Sequence, residues 1–111
     1  MKLSKDKQIE NEIFRIMRHQ LKGKSSSVEL KCWQMVTIAK VIYKRFGILP
    51  FKIRLKHLLW YCDEELFWCR SSHTQYRYYL AIKGFCECRG KWPQWEKQLV
   101  SRRPSPTNVL I

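Results

Sequence analysis

The sequence predicts a mainly all-α protein, a single small domain of four to five helices. Hydrophobic residues make up 45% of its 111 residues, which is too many for a disordered chain. Apolar residues recur at three- and four-residue steps, in segments that end at the glycines Gly23, Gly47 and Gly90. We therefore expect one basic helical domain over residues 1–100 and a flexible tail over residues 101–111.

The first predicted helix covers residues 4–22. Ser4 or Asp6 is available as its N-cap, and Gly23 is placed to end it. Its apolar side chains share one face: Ile9, Ile13, Phe14, Ile16, Met17 and Leu21.

The second predicted helix begins at Ser26, because Glu29 stands three residues later, in the spacing of a capping box. It ends before Gly47. One apolar stripe follows its whole length: Cys32, Met35, Val36, Ala39, Ile42, Tyr43 and Phe46.

Another face of this helix carries Trp33, Thr37, Lys40 and Lys44. Here Trp33 is a candidate for stacking on a base, while Lys40 and Lys44 are candidates for phosphate contacts. The alternative is that Trp33 packs against another helix and the lysines are simply solvated.

Residues 51–56 alternate between apolar and basic side chains, as in a strand with one apolar face. Alternatively, Pro50 stands at the first turn of a helix. We predict one helix from residue 51 to Tyr61, because the other elements are helical.

Asp63 is predicted to cap a short helix that runs to about Cys69. Ser72, with Gln75 three residues later, forms a second capping box and starts a helix over residues 74–89. Gly84 inside that helix indicates close packing or a break.

The segment after Gly90 has two interpretations. A short wing-like hairpin would pair residues 85–89 with residues 92–95, but Pro93 cannot donate a hydrogen bond to such a ladder. We instead expect Trp92 and Trp95 to cover the core.

The net charge of +13, from 22 Lys and Arg against nine Asp and Glu, favours a polyanionic partner, most commonly nucleic acid. The densest basic cluster is formed by Lys52, Arg54 and Lys56. We predict that these three contact phosphates, and the alternative is the solvated side of a half-buried segment.

The sequence predicts no enzyme, no metal site and no cofactor. It has no Cys-x-x-Cys knuckle and no Gly-rich phosphate loop, and Cys86 and Cys88 point to opposite sides of a helix. An odd cysteine count of five, with no signal-like apolar run, predicts reduced thiols and a cytoplasmic protein. No segment reaches the roughly 18 to 20 uncharged residues of a membrane span.

The segment Glu-Leu-Phe-Trp-Cys-Arg-Ser-Ser-His-Thr-Gln-Tyr-Arg-Tyr-Tyr-Leu, residues 65–80, resembles the second and third helices of helix-turn-helix DNA-binding domains. The resemblance implies that the start of the last of these helices enters the major groove. It then implies base contacts by His73, Gln75, Tyr76 and Arg77, and phosphate contacts by Ser71 and Ser72.

We therefore predict a nucleic-acid-binding protein, with DNA favoured over RNA, that acts as a regulator or accessory factor. The first alternative is RNA binding, with Trp33, Tyr76 and Tyr79 stacked on unpaired bases. The second is a basic interaction module that docks on an acidic protein surface. No dimerisation stripe indicates an oligomeric state.

Overall fold

The computed structural model describes residues 4–18, 20, 25–66 and 71–101, except the side chains of Ser25, Leu66 and Ser72. Within these ranges the chain is all-helical, which confirms the predicted fold class. A 3-10 turn covers Pro50–Lys52, and a π-helical turn over Cys62–Leu66 continues the third helix. The five α-helices are α1 (Lys5–Met17), α2 (Ser25–Phe46), α3 (Leu55–Tyr61), α4 (Ser72–Cys88) and α5 (Trp92–Val100).

Helix α2 is the centre of the fold. Helices α1 and α4 both pack along it and also contact each other, while α3 packs on α2 and α5 packs against α3 and α4. The core lies between them and is built from fully buried side chains: Ile9 and Ile13 of α1, Met35, Ile38 and Ile42 of α2, Leu58 of α3, Ile82 and Phe85 of α4, and Leu99 of α5.

Helix α1 begins as predicted and ends early. The Ser4 hydroxyl accepts a hydrogen bond from the Lys7 backbone N–H at 3.2 Å, which makes Ser4 the N-cap. The helix ends at Met17, and not at residue 22. Gln20 explains part of this end, because its backbone N–H donates to the Met17 carbonyl and its side-chain amide to the Ile16 carbonyl. Residues 21–24, including the predicted stop at Gly23, lie outside the described part.

Helix α2 follows its predicted apolar stripe. The members of the stripe from Cys32 to Ile42 are buried, whereas Tyr43 and Phe46 are half-buried. Ile38, which was not part of the predicted stripe, is buried as well. Gly47 ends the helix with φ +72°, a conformation that glycine adopts without strain. The predicted cap at Ser26 is wrong, because the chain is already helical at Ser25. This earlier start makes Val28, which is 8% exposed, the fourth residue of the helix.

The segment after Pro50 is neither the single helix that was predicted nor the alternative strand. The turn at Pro50–Lys52 is followed by extended backbone at Ile53 and Arg54, and α3 begins only at Leu55. The backbone groups here bond outside a helix. The Phe51 N–H donates to the Glu12 carboxylate, and the Phe51 and Ile53 carbonyls accept from Arg89.

The predicted helix start at Asp63 is also wrong. The Cys62 N–H donates to the carbonyls of Leu58 and Leu59, so the chain is still helical when it reaches Asp63 and offers no break to cap. The acidic residues 63–65 therefore lie at the C-terminal end of a helical segment, where the helix dipole does not favour them. Residues 67–70, with the predicted end at Cys69, lie outside the described part.

Helix α4 starts two residues before the predicted Thr74. Its N-cap is Ser71, and not Ser72, because the Ser71 hydroxyl accepts from the Thr74 N–H at 3.4 Å and the Ser71 carbonyl accepts from the Gln75 N–H at 2.8 Å. Gly84 is buried inside the helix, as its position indicated.

The C-terminal end of α4 is a Schellman motif around Gly90, which has φ +69°. The Lys91 N–H donates to the Cys86 carbonyl at 2.9 Å, and the Gly90 N–H donates to the Glu87 carbonyl at 3.0 Å. The chain turns there and enters α5 directly.

The wing-like hairpin is not formed, since residues 92–95 belong to α5. Pro93 is the second residue of this helix, where its missing N–H has no intrahelical acceptor to serve. Trp92 and Trp95 are half-buried and pack against the core, as predicted. Residues 102–111, most of the predicted tail, lie outside the described part.

Candidate functional site

A groove of about 620 Å³ lies where the Pro50–Lys52 turn, the start of α3 and the C-terminal end of α4 meet α5. We call it the cationic groove, because the described residues that line it include five cations and no carboxylate. The cations are Lys52, Arg54, Lys56, Arg89 and Lys91, and the remaining lining residues are Phe51, Ile53, Leu55 and Trp95. The predicted cluster of Lys52, Arg54 and Lys56 is exposed and forms one side of this groove.

Arg89 holds the groove together from the end of α4. Its Nη1 donates to the Ile53 carbonyl at 2.6 Å and its Nη2 to the Phe51 carbonyl at 2.9 Å. Its guanidinium carbon also lies 5.6 Å from the centre of the Phe85 ring. Burial lowers the pKa of Arg89, with Cys86 opposing this and Arg54 adding to it, although a guanidinium remains charged. Arg89 is therefore mainly a structural cation, with its donors directed at the backbone.

Phe51 stands at the rim of the groove with its backbone fixed on both sides. Its N–H donates to Oε1 of Glu12 on α1 at 3.2 Å, and its carbonyl accepts from Arg89 on α4. The residue as a whole is nevertheless 44% exposed. The backbone is held by two distant parts of the chain while the ring remains open to a ligand.

His57 is a buried residue that holds the backbone of the basic cluster at Arg54. Its Nδ1 accepts a hydrogen bond from the Arg54 N–H at 2.9 Å, and its ring packs edge-on against Phe46, with 4.8 Å between the ring centres. Burial, and after it the nearby Lys56 and Arg54 charges, lowers the pKa of His57 below its ordinary value of 6.5. A neutral imidazole thus fixes the entry of α3 between two exposed cations.

Trp33 lies in a different, smaller groove of about 300 Å³, which we call the Trp33 groove. Its other lining residues are Glu10, Asn11, Phe14, Arg18 and Glu29. Trp33 is 45% exposed as a residue, and its ring packs edge-on against Phe14, with 4.9 Å between the ring centres. The predicted stacking residue therefore stands beside two carboxylates and does not line the cationic groove.

The two predicted phosphate contacts on α2 are separate from the cationic groove as well. Nζ of Lys40 lies 3.5 Å from Oε2 of Glu10, so its charge is shared with a carboxylate. Lys44 is exposed in the last turn of α2. Neither lysine lines the cationic groove.

The predicted base contacts lie in the first two turns of α4. His73 and Arg77 are exposed, whereas Gln75 and Tyr76 are half-buried. At a rise of about 1.5 Å per residue, Arg77 is roughly 18 Å along the axis from Arg89 at the other end of α4. Ser71 is exposed and caps the helix, and the Ser72 side chain is not described. The predicted base contacts therefore lie at the N-terminal end of α4, whereas the basic cluster lies beside its C-terminal end, close to Arg89.

Six residues that line the cationic groove were not among the predicted site residues: Phe51, Ile53, Leu55, Arg89, Lys91 and Trp95. The alternating pattern assigned Phe51 to the same apolar face as the buried Ile53, but the turn at Pro50–Lys52 breaks that alternation. Arg89 and Lys91 are far from the basic cluster in sequence. The signal available in the sequence was Gly90, since glycine is the residue at which a helix commonly ends and the chain turns.

The cysteines of the described part, Cys32, Cys62, Cys86 and Cys88, are free thiols. Burial raises the pKa of Cys86 to about 12 and, with help from Glu87, that of Cys88 to about 11, so both thiols stay protonated. Among the described residues no group of three or more His, Cys, Asp or Glu is arranged to hold a metal ion. None of the helices described is long and apolar enough to cross a membrane. Comparison of the chain with protein-family models, with curated proteins and with solved structures finds no match.

Proposed function

We propose that this protein binds nucleic acid and that the cationic groove holds the phosphate backbone. The observation that carries this proposal is the lining of the groove, where the described residues supply five cations and no carboxylate. A net charge of +13 adds a long-range attraction to any polyanion. Contacts of this kind release counterions and supply most sequence-independent affinity for nucleic acid.

The exposed cations of the groove divide the work by their chemistry. Arg54 presents a planar guanidinium that matches two oxygens of one phosphate, whereas Lys52 and Lys56 act as point charges on flexible stems. Arg89 donates its hydrogen bonds to the Ile53 and Phe51 carbonyls, so it adds positive charge to the groove and leaves direct phosphate contacts to the other cations. Such contacts position a strand and carry no sequence information.

The test is a titration of labelled duplex DNA, single-stranded DNA and structured RNA at two salt concentrations. We expect binding that weakens steeply with salt. The triple variant Lys52→Ala, Arg54→Ala, Lys56→Ala should weaken binding to every sequence and lower the salt slope by about 0.9 for each duplex phosphate that is no longer neutralised.

A charge-matched control separates the groove from net charge. The triple variant Lys5→Ala, Arg15→Ala, Lys97→Ala also removes three exposed cations, none of which lines the groove. It should change the salt slope much less. Equal losses in the two triple variants would contradict the role of the groove. No binding to any of the three probes at low salt would contradict nucleic-acid binding itself and favour an acidic protein surface as the partner.

Reading of duplex DNA by the start of α4 is a narrower form of this proposal. It is supported by the Ser71 cap and by the exposed His73 and Arg77 on the first two turns. If these turns read bases, Gln75→Ala and Arg77→Ala each change the discrimination between duplex sequences by about 1 to 3 kcal/mol. Unchanged sequence preference in both variants would remove α4 as the reader.

A further inference from the structure

We infer that the cationic groove takes single-stranded nucleic acid and that the Phe51 ring is a stacking platform for an unpaired base. This inference rests on the proposed function and specifies its substrate class. It starts from the one feature of the groove that phosphate binding does not explain, the exposed aromatic ring among the cations.

The exposure of Phe51 is unusual for its residue type. Among the described residues, the large hydrophobic side chains that are exposed are Leu30, Trp33, Phe51 and Val100. Of these four, Phe51 is the one that lines the cationic groove. Phenylalanine is normally buried, and leaving its ring in water forgoes a favourable burial free energy. A base stacked on the ring would recover that free energy.

The ring is also prepared for stacking before a ligand arrives. The hydrogen bonds from the Phe51 N–H to Glu12 and from Arg89 to the Phe51 carbonyl fix the backbone, and the buried Pro50 precedes it in a 3-10 turn. Little backbone freedom then remains to be removed on binding, which is the benefit of a preorganised site.

A second aromatic side chain completes the groove. Trp95, in the first turn of α5, lines it and is half-buried against the core. The volume of about 620 Å³ lies within the range of about 300 to 1,000 Å³ that is typical of pockets for small organic groups. A basic track with aromatic rings at its side is the usual arrangement in proteins that bind single strands.

The combination favours unpaired bases over a duplex. Bases inside a duplex are covered on both faces by their neighbours, so their faces are closed to an outside ring, whereas an unpaired base offers its face. The exposed cations Lys52, Arg54 and Lys56 reach the phosphates in either case. Phe51 therefore adds affinity for a single strand that the cations alone do not provide.

The experiment compares a short oligothymidylate with an abasic oligonucleotide of the same length, and with a duplex that carries the same number of phosphates. We expect the full chain to prefer the oligothymidylate over both. Phe51→Ala should weaken binding of the oligothymidylate on the order of 5- to 150-fold, the range seen when one stacking ring is removed. Binding of the abasic strand should stay within about twofold, since it depends on the cations.

Two further variants make the result specific. Phe51→Trp retains a stacking face and should keep the preference for the oligothymidylate. Leu30→Ala removes a more exposed apolar side chain that lies outside the groove, and it should leave all three affinities unchanged.

The outcomes separate this inference from the proposed function. Equal affinity of the full chain for the oligothymidylate and the abasic strand overturns the stacking role, even if Phe51→Ala fails to fold. An equal loss for both strands in Phe51→Ala also overturns it. In either case the proposed function stands if the Lys52, Arg54 and Lys56 variant still loses salt-dependent binding, whereas no binding to any strand overturns both.

Discussion

Phe51 and Trp33 are two aromatic residues with almost the same exposure, 44% and 45%, in different electrostatic surroundings. Among the described residues, those beside Phe51 in its groove include five cations and no carboxylate. The groove beside Trp33 contains Glu10 and Glu29 next to the cation Arg18. A phosphate-bearing ligand is therefore attracted more strongly to the first groove than to the second.

The difference shows that an exposed ring is not by itself a nucleotide site. Part of the Trp33 surface is already used, because its edge-on contact with Phe14 joins α2 to α1. Phe51 makes its long-range bonds through the backbone and leaves the ring open. The sign of the surrounding charge and the use of the ring in packing decide between the two.

The largest effect on stability is expected from removing Arg89, whose side chain holds the cationic groove together and takes no part in the Trp33 groove. Arg89→Met deletes both hydrogen bonds to the Phe51 and Ile53 carbonyls and should lower the free energy of unfolding by roughly 2 kcal/mol. Urea unfolding measures this loss. Arg77→Met, an exposed arginine on the same helix, is the control and should stay within about 0.5 kcal/mol. Equal small losses in both variants would show that Arg89 does not hold the groove.

A smaller effect on stability should appear when the pH is lowered, and it should arise from His57 beside the cationic groove. His57 has a lowered pKa in the folded chain, so the unfolded chain takes up the proton first as the pH falls below 6.5. Stability is therefore complete above 6.5 and declines as the pH falls toward the folded-state pKa. The loss should reach roughly 1 kcal/mol, since a protonated Nδ1 no longer accepts from the Arg54 N–H.

His57→Gln provides the control for this pH dependence, because a glutamine amide oxygen accepts a hydrogen bond and does not titrate. Urea midpoints should be measured at pH values above and below 6.5. As the pH is lowered, the midpoint of the unmodified chain should fall, whereas that of the variant should remain nearly constant. The same decline in both proteins would assign it to other groups.

The smallest expected effect tests the charge argument at the Trp33 groove itself. Glu29→Lys changes an exposed carboxylate beside Trp33 into a cation and should raise the affinity for single strands about twofold, since exposed charges are screened by salt. Glu64→Lys makes the same change at an exposed position that does not line this groove. An equal gain in both variants would mean that only net charge matters at Trp33.

Features that depend on neighbouring residues could be predicted from the sequence. The stripe of α2 and its end at Gly47 follow from side-chain spacing and from the backbone freedom of glycine, and both are confirmed. Ser4, one of the two N-cap candidates that the sequence offered for α1, is also local and caps the helix. The basic cluster of Lys52, Arg54 and Lys56 was also visible, because its members are close in sequence.

Features that depend on distant residues could not be predicted. The backbone after Pro50 is set by a hydrogen bond from the Phe51 N–H to Glu12 and by one from Arg89 to the Phe51 carbonyl, and these partners lie 39 and 38 positions from Phe51. The continuation of α3 past Asp63 was missed because three adjacent acids resemble a helix start when they are read locally. The joining of Lys91 and Trp95 to the basic cluster depends on the packing of α5 against α3 and α4.

The bonds to Phe51 also determine when the groove exists during folding. Closing contacts across 38 and 39 residues has an entropic cost that contacts within one helix avoid, so we expect both bonds to form late. A chain that lacks α1, or that has not yet docked the end of α4, has the basic residues without a held ring beside them. Partly folded chains should therefore attract polyanions by charge alone. Only the completed fold should bind a single strand with bases more tightly than an abasic strand.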